Sequence, residues 1–332
     1  MTTTDAPLDI ERELEQHRPE LTGYCYRMLA SPFEAEDAVQ ETLLRAWRGA
    51  SDFERRASVR TWLYRIATNV CIDMAAARER RALPMDLGPA REPVAANLAT
   101  PEVPWVEPIP DALVAFTSST DPEAVAIRRE SVRLAMVTAM QRLPARQRAT
   151  LLLREVLGLT AAEVATLLEM SEASVNSALQ RARATLEASP TAFDRASARA
   201  ATDADRDKLD RFASAFERYD MDELAGMLRD DALQSMPPYD LWLEGREDVL
   251  AWWFGPGAGC AGSRLVYAGT ANGVPAYGQY KPREDGMGFD PWSLDLFELD
   301  EDGNLAAATF FLDTERLFPL FGLAPSLPDA GS

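Results

Sequence analysis

The chain has 332 residues, 47% of them hydrophobic and 26% charged, with a formal net charge of −19. That describes a folded chain of two or three domains, and no run approaches the roughly 18 consecutive apolar residues of a membrane span. A single histidine, His17, rules out histidine-rich zinc sites and histidine-based triads, and three cysteines without paired spacing (Cys25, Cys71, Cys260) argue against a disulfide framework.

The N-terminal residues have neither a basic segment nor an apolar core, so no signal peptide is expected, and with the cysteine usage this points to a reducing, cytoplasmic location. Residues 10–83 read as helical, with a break at Ser31-Pro32. Ser31 can cap the next helix, Pro32 suits its first position, and Glu34 follows three residues after the cap. In PFEAEDAVQETLLRAWR the inward positions are Ala35, Val39, Leu43, Ala46 and Trp47. Glu34, Asp37 and Glu41 face out, either as plain solvation or as a docking surface for a basic partner. After the loop GASDFERRAS a longer helix, VRTWLYRIATNVCIDMAAARERRA, is expected to bury Leu63, Ile66, Ala67, Val70, Met74 and Ala77. Trp62, Asn69 and Asp73 run along one edge of it. Arg78, Arg80 and Arg81 near its end suit the helix dipole in any case.

Residues 84–122 hold eight prolines and one Arg against six acids, too proline-dense for a helix or a central strand. This is an extended acidic strap, with Trp105 as a candidate anchor. A helix from Asp121 or Pro122 to about Arg142 and another around Ala145–Leu157 come next. Thr160 and Glu163 then form a capping box before Val164, Leu167 and Leu168. Three residues later Ser171 can cap a second helix whose buried stripe is Val175, Leu179, Ala182 and Leu186, with Met170 placed to staple onto Val175. The pair is a helix-turn-helix. Opposite the stripe lie Ala173, Ser174, Ser177, Gln180 and Arg181, with Asn176 and Arg183 on the flanks, a set suited to the major groove. A water-facing helix of a three-helix protein-binding module is the competing reading. Residues 123–190 carry nine Arg against seven Glu, whereas 191–332 carry 12 basic and 26 acidic residues. Such a chain binds DNA better when a large partner supplies the backbone contacts.

Beyond a weak linker up to about Asp205, helical spacing at Leu209, Phe212, Phe216, Leu224 and Leu228 gives way to strands at 232–236 and 241–243, a helix at Arg246–Phe254, and strands at Arg264–Ala271, 276–281, 293–299 and 305–312. An α+β domain with a curved antiparallel sheet under helices is expected. The apolar, proline-broken tail 318–328 either closes this domain or contacts the helical modules.

EDAVQETLLRAW (36–47), SVRTWLYRIATNVCIDMAAARERR (58–81) and the stretch from Leu143 to Leu186, in this order, resemble sigma-70 family RNA polymerase sigma factors of the extracytoplasmic-function (ECF) group. The part that follows is similar to a SnoaL-like (nuclear-transport-factor-2-like) domain. The resemblance implies two all-α DNA-binding domains, the second with the helix-turn-helix, plus an α+β cone. Its bounds would be 8–83 (polymerase binding and −10 recognition), 84–122 (linker), 123–189 (−35 recognition), 190–205 (linker) and 206–332 (SnoaL-like). It implies polymerase contacts at Asp37, Glu41, Leu44 and Trp47. The −10 contacts would be Arg60, Trp62, Arg65, Asn69 and Asp73, with the loop Gly49–Ser58 receiving an extruded base, and the −35 contacts Ser171, Ser174, Asn176, Ser177, Gln180, Arg181 and Arg183. The linker would thread the polymerase cleft. Expected partners are core RNA polymerase through β and β′, promoter DNA, and a small-molecule ligand in a cavity lined by Phe216, Tyr239, Trp242, Trp253 and Tyr280. No cofactor, metal, membrane or dedicated membrane anti-sigma partner is expected. The alternatives are a ligand-responsive helix-turn-helix repressor or activator working without polymerase, and a SnoaL-like enzyme. For the enzyme Asp231 and Asp295 are the candidate acids, neither with a histidine partner.

Overall fold

The structure is a computed structural model that describes residues 12–52, 58–114, 122–188 and 203–329. They form two units, Met1–Arg81 with Val106–Ser189, and Ala82–Trp105 with Pro190–Ser332. In the first, α1 (Arg18–Leu29), α2 (Pro32–Arg48) and α3 (Val59–Ala76) pack pairwise. Side-chain caps set the later two starts: Ser31 Oγ accepts from the Glu34 N–H at 3.3 Å, with Pro32 first in the helix, and Ser58 Oγ accepts from the Thr61 N–H at 3.1 Å. The inward stripe of α2 is Ala35, Ala38, Val39, Thr42, Leu43 and Ala46. Trp47, expected with them, points outward at 51% exposure. It stands a further 100° round from Ala46, which carries the indole off the stripe.

On α3 the buried residues are Leu63, Tyr64, Ala67, Thr68, Val70 and Cys71, while Ile66 and Met74 are half-buried and Ala77 is exposed. The stripe is turned from the expected one because Tyr24 draws that side of α3 onto α1. Its ring meets Tyr64 edge-on at 5.2 Å, and its hydroxyl lies 2.7 Å from that of Thr68. The helix also stops sooner, at Ala76. Arg78 and Arg81, expected in its last turns, lie past its end and each reach Glu34 at 2.9 Å.

The second group of helices is α4 (Pro122–Val132), α5 (Leu134–Gln141), α6 (Ala145–Leu151, running on as a π turn over Leu152–Val156), α7 (Ala161–Leu168) and α8 (Glu172–Glu187). The single helix expected up to Arg142 is broken at Arg133, whose backbone is extended, and the break sets Ser131 against Arg27 of α1. The capping box forms as the sequence requires: the Glu163 N–H donates to Thr160 Oγ1 at 3.3 Å and the Thr160 N–H to Glu163 Oε2 at 2.7 Å. Ser171 Oγ accepts from the Ser174 N–H at 3.2 Å to start α8.

The C-terminal turn of α1 joins the two groups of helices. A helix end leaves its last carbonyls without intrahelical donors, and here each finds one. Tyr26 O accepts from the Ala30 N–H at 2.7 Å, Arg27 O from Gln141 Nε2 at 3.4 Å, Met28 O from Arg148, Leu29 O from Arg78 at 2.7 Å, and Ala30 O from the Glu107 N–H at 3.0 Å. Two of these donors, Gln141 and Arg148, come from the helix-turn-helix half.

The second unit runs α9 (Asp203–Arg218), α10 (Met221–Met227), β1 (Leu228–Ser235), β2 (Trp242–Glu244), α11 (Arg246–Phe254), β3 (Arg264–Ala271), β4 (Val274–Pro282), β5 (Phe289–Leu299), β6 (Leu305–Phe311) and α12 (Thr314–Leu320). The sheet order is β2-β1-β6-β5-β4-β3. It is mixed rather than antiparallel throughout, since β1 and β6 run parallel. Parallel neighbours need a long crossover, and the chain from β2 to β5 supplies it. Alternate residues of β4, β5 and β6, among them Tyr277, Phe297 and Phe310, meet Phe212, Phe216 and Trp253 of the covering helices in the core. On the opposite face lie α12 and the tail. Phe318 meets the Tyr280 ring at 5.1 Å, the Tyr280 hydroxyl donates to Ala324 O at 2.8 Å, and Leu323 sits over Gly278, where a Cβ would come within 2.6 Å of it. The tail therefore closes this unit's own sheet.

Most of the proline-rich strap belongs to the second unit. The Arg91 N–H donates to Trp242 O at 3.0 Å, the Trp242 indole N–H to Gly88 O at 2.8 Å, and the Asp240 N–H to Ala99 O at 2.9 Å, while the Arg91 guanidinium pairs with Asp240 at 2.6 Å. These bonds occupy the carbonyl and the indole of Trp242 at the start of the edge strand β2. The indole at this seam belongs to Trp242 on the sheet. Trp105, the expected anchor, pairs through its backbone with Ala82.

Candidate nucleic-acid interface

On α8 every residue nominated for the groove is exposed: Ser171, Ser174, Asn176, Ser177, Gln180, Arg181 and Arg183. Val175, Ala178, Leu179 and Ala182 are buried against α6 and α7, so packing fixes which face is offered. Arg183 reaches Glu155 at 2.5 Å, which places it at the rim. Glu169 ends α7 in the left-handed conformation, φ 54°, and makes the turn. The start of α8 at Ser171 carries the positive end of the helix dipole, which favours an anion.

On α3, Arg65, Asn69 and Asp73 are exposed, four residues apart on one face. Arg60 is less available: its Nε donates to Glu20 Oε2 at 2.8 Å and its guanidinium lies over the Tyr64 ring at 5.0 Å. Trp62 is half-buried, with its ring against Gly49. Within the loop Gly49–Ser58, residues 53–57 lie outside the described residues. α2 offers a different surface. Leu44 and Trp47 are exposed at 40% and 51% beside exposed Asp37 and half-buried Glu41, the latter held by Arg45 at 2.6 Å. Large apolar side chains left in water among acids suit a partner surface that is basic and partly apolar.

Sequence reasoning missed Arg148. All five of its N–H donors are used: Nε to Met140 O at 2.8 Å, Nη1 to Met28 O and to Gln141 Oε1, and Nη2 to Gln141 O and Leu143 O at 3.1 Å each. Burial without a carboxylate partner, then the charge of Arg78, draws its pKa down to about 10, so it stays charged at neutral pH. A signal was present: Arg148 lies four residues before buried Leu152, on the inward side of its helix.

In the second unit, Phe216 and Trp253 line a cavity that Tyr239, Trp242 and Tyr280 do not. Trp242 is taken up by the strap and Tyr280 by the tail, on the far side of the sheet. Asp231 pairs with Arg229 at 2.7 Å and is 63% exposed, whereas Asp295 is fully buried. Among the described residues there is no cluster able to hold a metal ion, and no helix long and apolar enough to cross a membrane.

Two helical groups, one ending in a helix-turn-helix with a groove-ready face and the other offering an acidic-apolar docking face, define a DNA reader that works on a larger partner. Comparison with known proteins carries this to a family. Residues 14–81 match Sigma-70 region 2, and residues 133–186 match Sigma-70, region 4. ECF RNA polymerase sigma factor SigG of Mycobacterium tuberculosis is 42% identical over 96% of this chain and 85% of its own. The crystal structure of the M. tuberculosis extracytoplasmic function sigma factor SigJ covers 94% of this chain and 99% of its own, with a TM-score of 0.60 at 21% identity, a likeness of fold. The sigma factor RpoE of Bartonella quintana, solved with the anti-sigma factor NepR, covers 54% of this chain and 94% of its own at a TM-score of 0.34, too loose to carry an inference about partners. The chain belongs to the ECF RNA polymerase sigma factors, transcription initiation factors that direct RNA polymerase to promoters. Its second unit, a sheet under helices, has the α+β architecture expected of it, and the likeness of fold to SigJ covers it.

Proposed function

We propose that this sigma factor docks on core polymerase through Asp37, Glu41, Leu44 and Trp47, reads the −10 element from the exposed face of α3, and reads the −35 element from the exposed face of α8. It acts in the cytoplasm, where polymerase is, and without catalysis of its own. The C-terminal unit modulates it by holding the linker. What supports this last step is the set of backbone and indole hydrogen bonds that tie residues 88–99 to Trp242 and Asp240. A linker held there is withheld from any other path, so initiation competes with the clasp. This control acts in cis and adds to any exerted by an anti-sigma protein.

Co-purification with core polymerase followed by promoter-dependent run-off transcription tests the assignment. The full chain should join the enzyme and redirect it to specific start sites. A ligand-responsive repressor would instead bind duplex DNA alone. For the clasp, Trp242→Phe keeps the ring and removes the indole donor, and with Arg91→Ala it should raise run-off output several-fold and speed proteolysis within residues 82–105. Unchanged output and unchanged cleavage would remove the modulating role and leave the initiation role standing.

A further inference from the structure

The helix-turn-helix is balanced in charge, and one of its ion pairs stands beside the side chains that face the groove. Residues 145–187 hold five arginines and five glutamates, with no lysine or aspartate. Arg148 is buried, Arg154 is half-buried with its Nη1 bonded to Leu159 O, and Arg146 and Arg181 are exposed. Arg183 is exposed as well, but its Nη2 lies 2.5 Å from Glu155 Oε1. It follows Gln180 by three residues and Asn176 by seven, which sets all three along one flank of α8.

The backbone brings Glu155 to that flank. α6 passes into a π turn over Leu152–Val156, in which the Leu157 N–H donates to Leu152 O at 3.0 Å. The turn buries Leu152 and Leu153 and leaves Glu155 half-buried within reach of α8, 28 positions before Arg183 in the chain. π turns of this kind concentrate at functional sites. An unpaired guanidinium at this place would meet a phosphate and release a counterion, a contribution that is blind to sequence. With a carboxylate 2.5 Å away the two groups carry no net charge, and a phosphate nearby sees only their dipole. The hold between them need not be strong, because an exposed pair is worth little and the cancellation acts through proximity alone.

We propose that Glu155 is a specificity-determining residue of the helix-turn-helix: it cancels Arg183 beside the groove, lowers affinity for DNA of any sequence, and leaves selection of the −35 element to Gln180, Arg181 and their neighbours. The proposal rests on the reading of α8 as the −35 reader. Its test is the binding of the full chain to a fluorescent duplex of scrambled sequence, followed by anisotropy over about 50–200 mM salt. Glu155→Gln keeps the size of the side chain and removes its charge. Its affinity should rise about three-fold at the lowest salt, and its slope of log K against log salt should steepen by about 0.9, the value of one phosphate. The double variant Glu155→Gln with Arg183→Gln is neutral there again, and both quantities should return to those of the parent. Glu155→Gln curves that match the parent's, unbound ones included, overturn the proposal. So does a double variant whose slope falls below the parent's by about 0.9, since Arg183 would then meet a phosphate in spite of its partner. Arg181→Ala separates the two layers of the argument. If it leaves promoter-specific run-off intact, the reading of α8 fails and the proposal falls with it; if it lowers run-off while Glu155→Gln leaves duplex binding unchanged, the proposal alone fails.

Discussion

A guanidinium with every donor engaged and no carboxylate beside it sits at the centre of the first unit. Arg148 neutralises no charge; it collects five carbonyl-type oxygens, one of them at the end of α1, where the helix dipole leaves negative potential. Removing it strands those oxygens in the interior. Arg148→Met should therefore lower unfolding free energy by about 2–4 kcal/mol, read by urea denaturation, and Arg148→Lys should recover less than half, since three ammonium donors cannot meet five acceptors. A loss below about 0.5 kcal/mol would mean that solvent already reaches the site. The surface arginines behave differently. Arg181 is exposed on α8, so Arg181→Ala, and likewise Gln180→Ala, should leave stability and core-polymerase binding unchanged and reduce promoter-specific run-off. Equal loss in a polymerase pull-down would show that α8 meets the enzyme instead of the promoter.

At the scale of single elements the sequence was most legible where a side chain bonds its own backbone. The caps at Ser31, Thr160 and Ser171 form as their spacing requires, because each depends on atoms three residues apart. The helix Arg246–Phe254 and the strand Arg264–Ala271 likewise fall on the expected residues. What could not be read are arrangements set by distant partners. The turn of the α3 stripe follows Tyr24, the break at Arg133 accompanies the Arg27–Ser131 bond, and the parallel pairing of β1 with β6 depends on where the chain returns. The candidate surfaces on α2, α3 and α8 follow from helical periodicity, whereas the bonds of Arg148 and the Glu155–Arg183 pair are assembled across helices. The capping box gives a test at this scale. Thr160→Ala should cost about 1 kcal/mol. The Thr160 backbone N–H, then its hydroxyl, hold the Glu163 carboxyl below its usual pKa of 4.5. Because this folded-state pKa is depressed, the box contributes fully above the unfolded value and is lost as pH falls through the folded one. Part of the Thr160→Ala gap in urea midpoint, the bond from the Glu163 N–H, persists at all pH, but the gap between Glu163→Gln and the parent should close in acid below that value. A constant gap down to pH 2 would mean that the carboxylate contributes nothing.

The size of the whole first unit conflicts with its task. A compact body of about 165 residues has a radius of gyration of about 15 Å and measures about 40 Å across. Promoter elements centred near −35 and −10 are about 25 base pairs apart, which at 3.4 Å per pair is about 85 Å. If the faces of α3 and α8 read the two elements as proposed, they cannot both reach them while Gln141 and Arg148 hold the end of α1, so engagement would part the two helical groups there. Parting exposes the carbonyls of Arg27 and Met28 and the charge of Arg148, at a cost that polymerase and DNA contacts must exceed. Spin labels at Ala76→Cys and Ala184→Cys, exposed positions outside the proposed DNA contacts, follow this directly by double electron-electron resonance once Cys260 is changed to Ser, the other two cysteines being buried. The free chain should give a separation under about 40 Å, and the polymerase–promoter complex one of about twice that. Arg148→Met should broaden the free-chain distribution toward the longer distance. A separation that stays short in the complex would mean that only one of the two faces reads DNA, and the face whose alanine variants spare promoter selectivity would be the one to reassign.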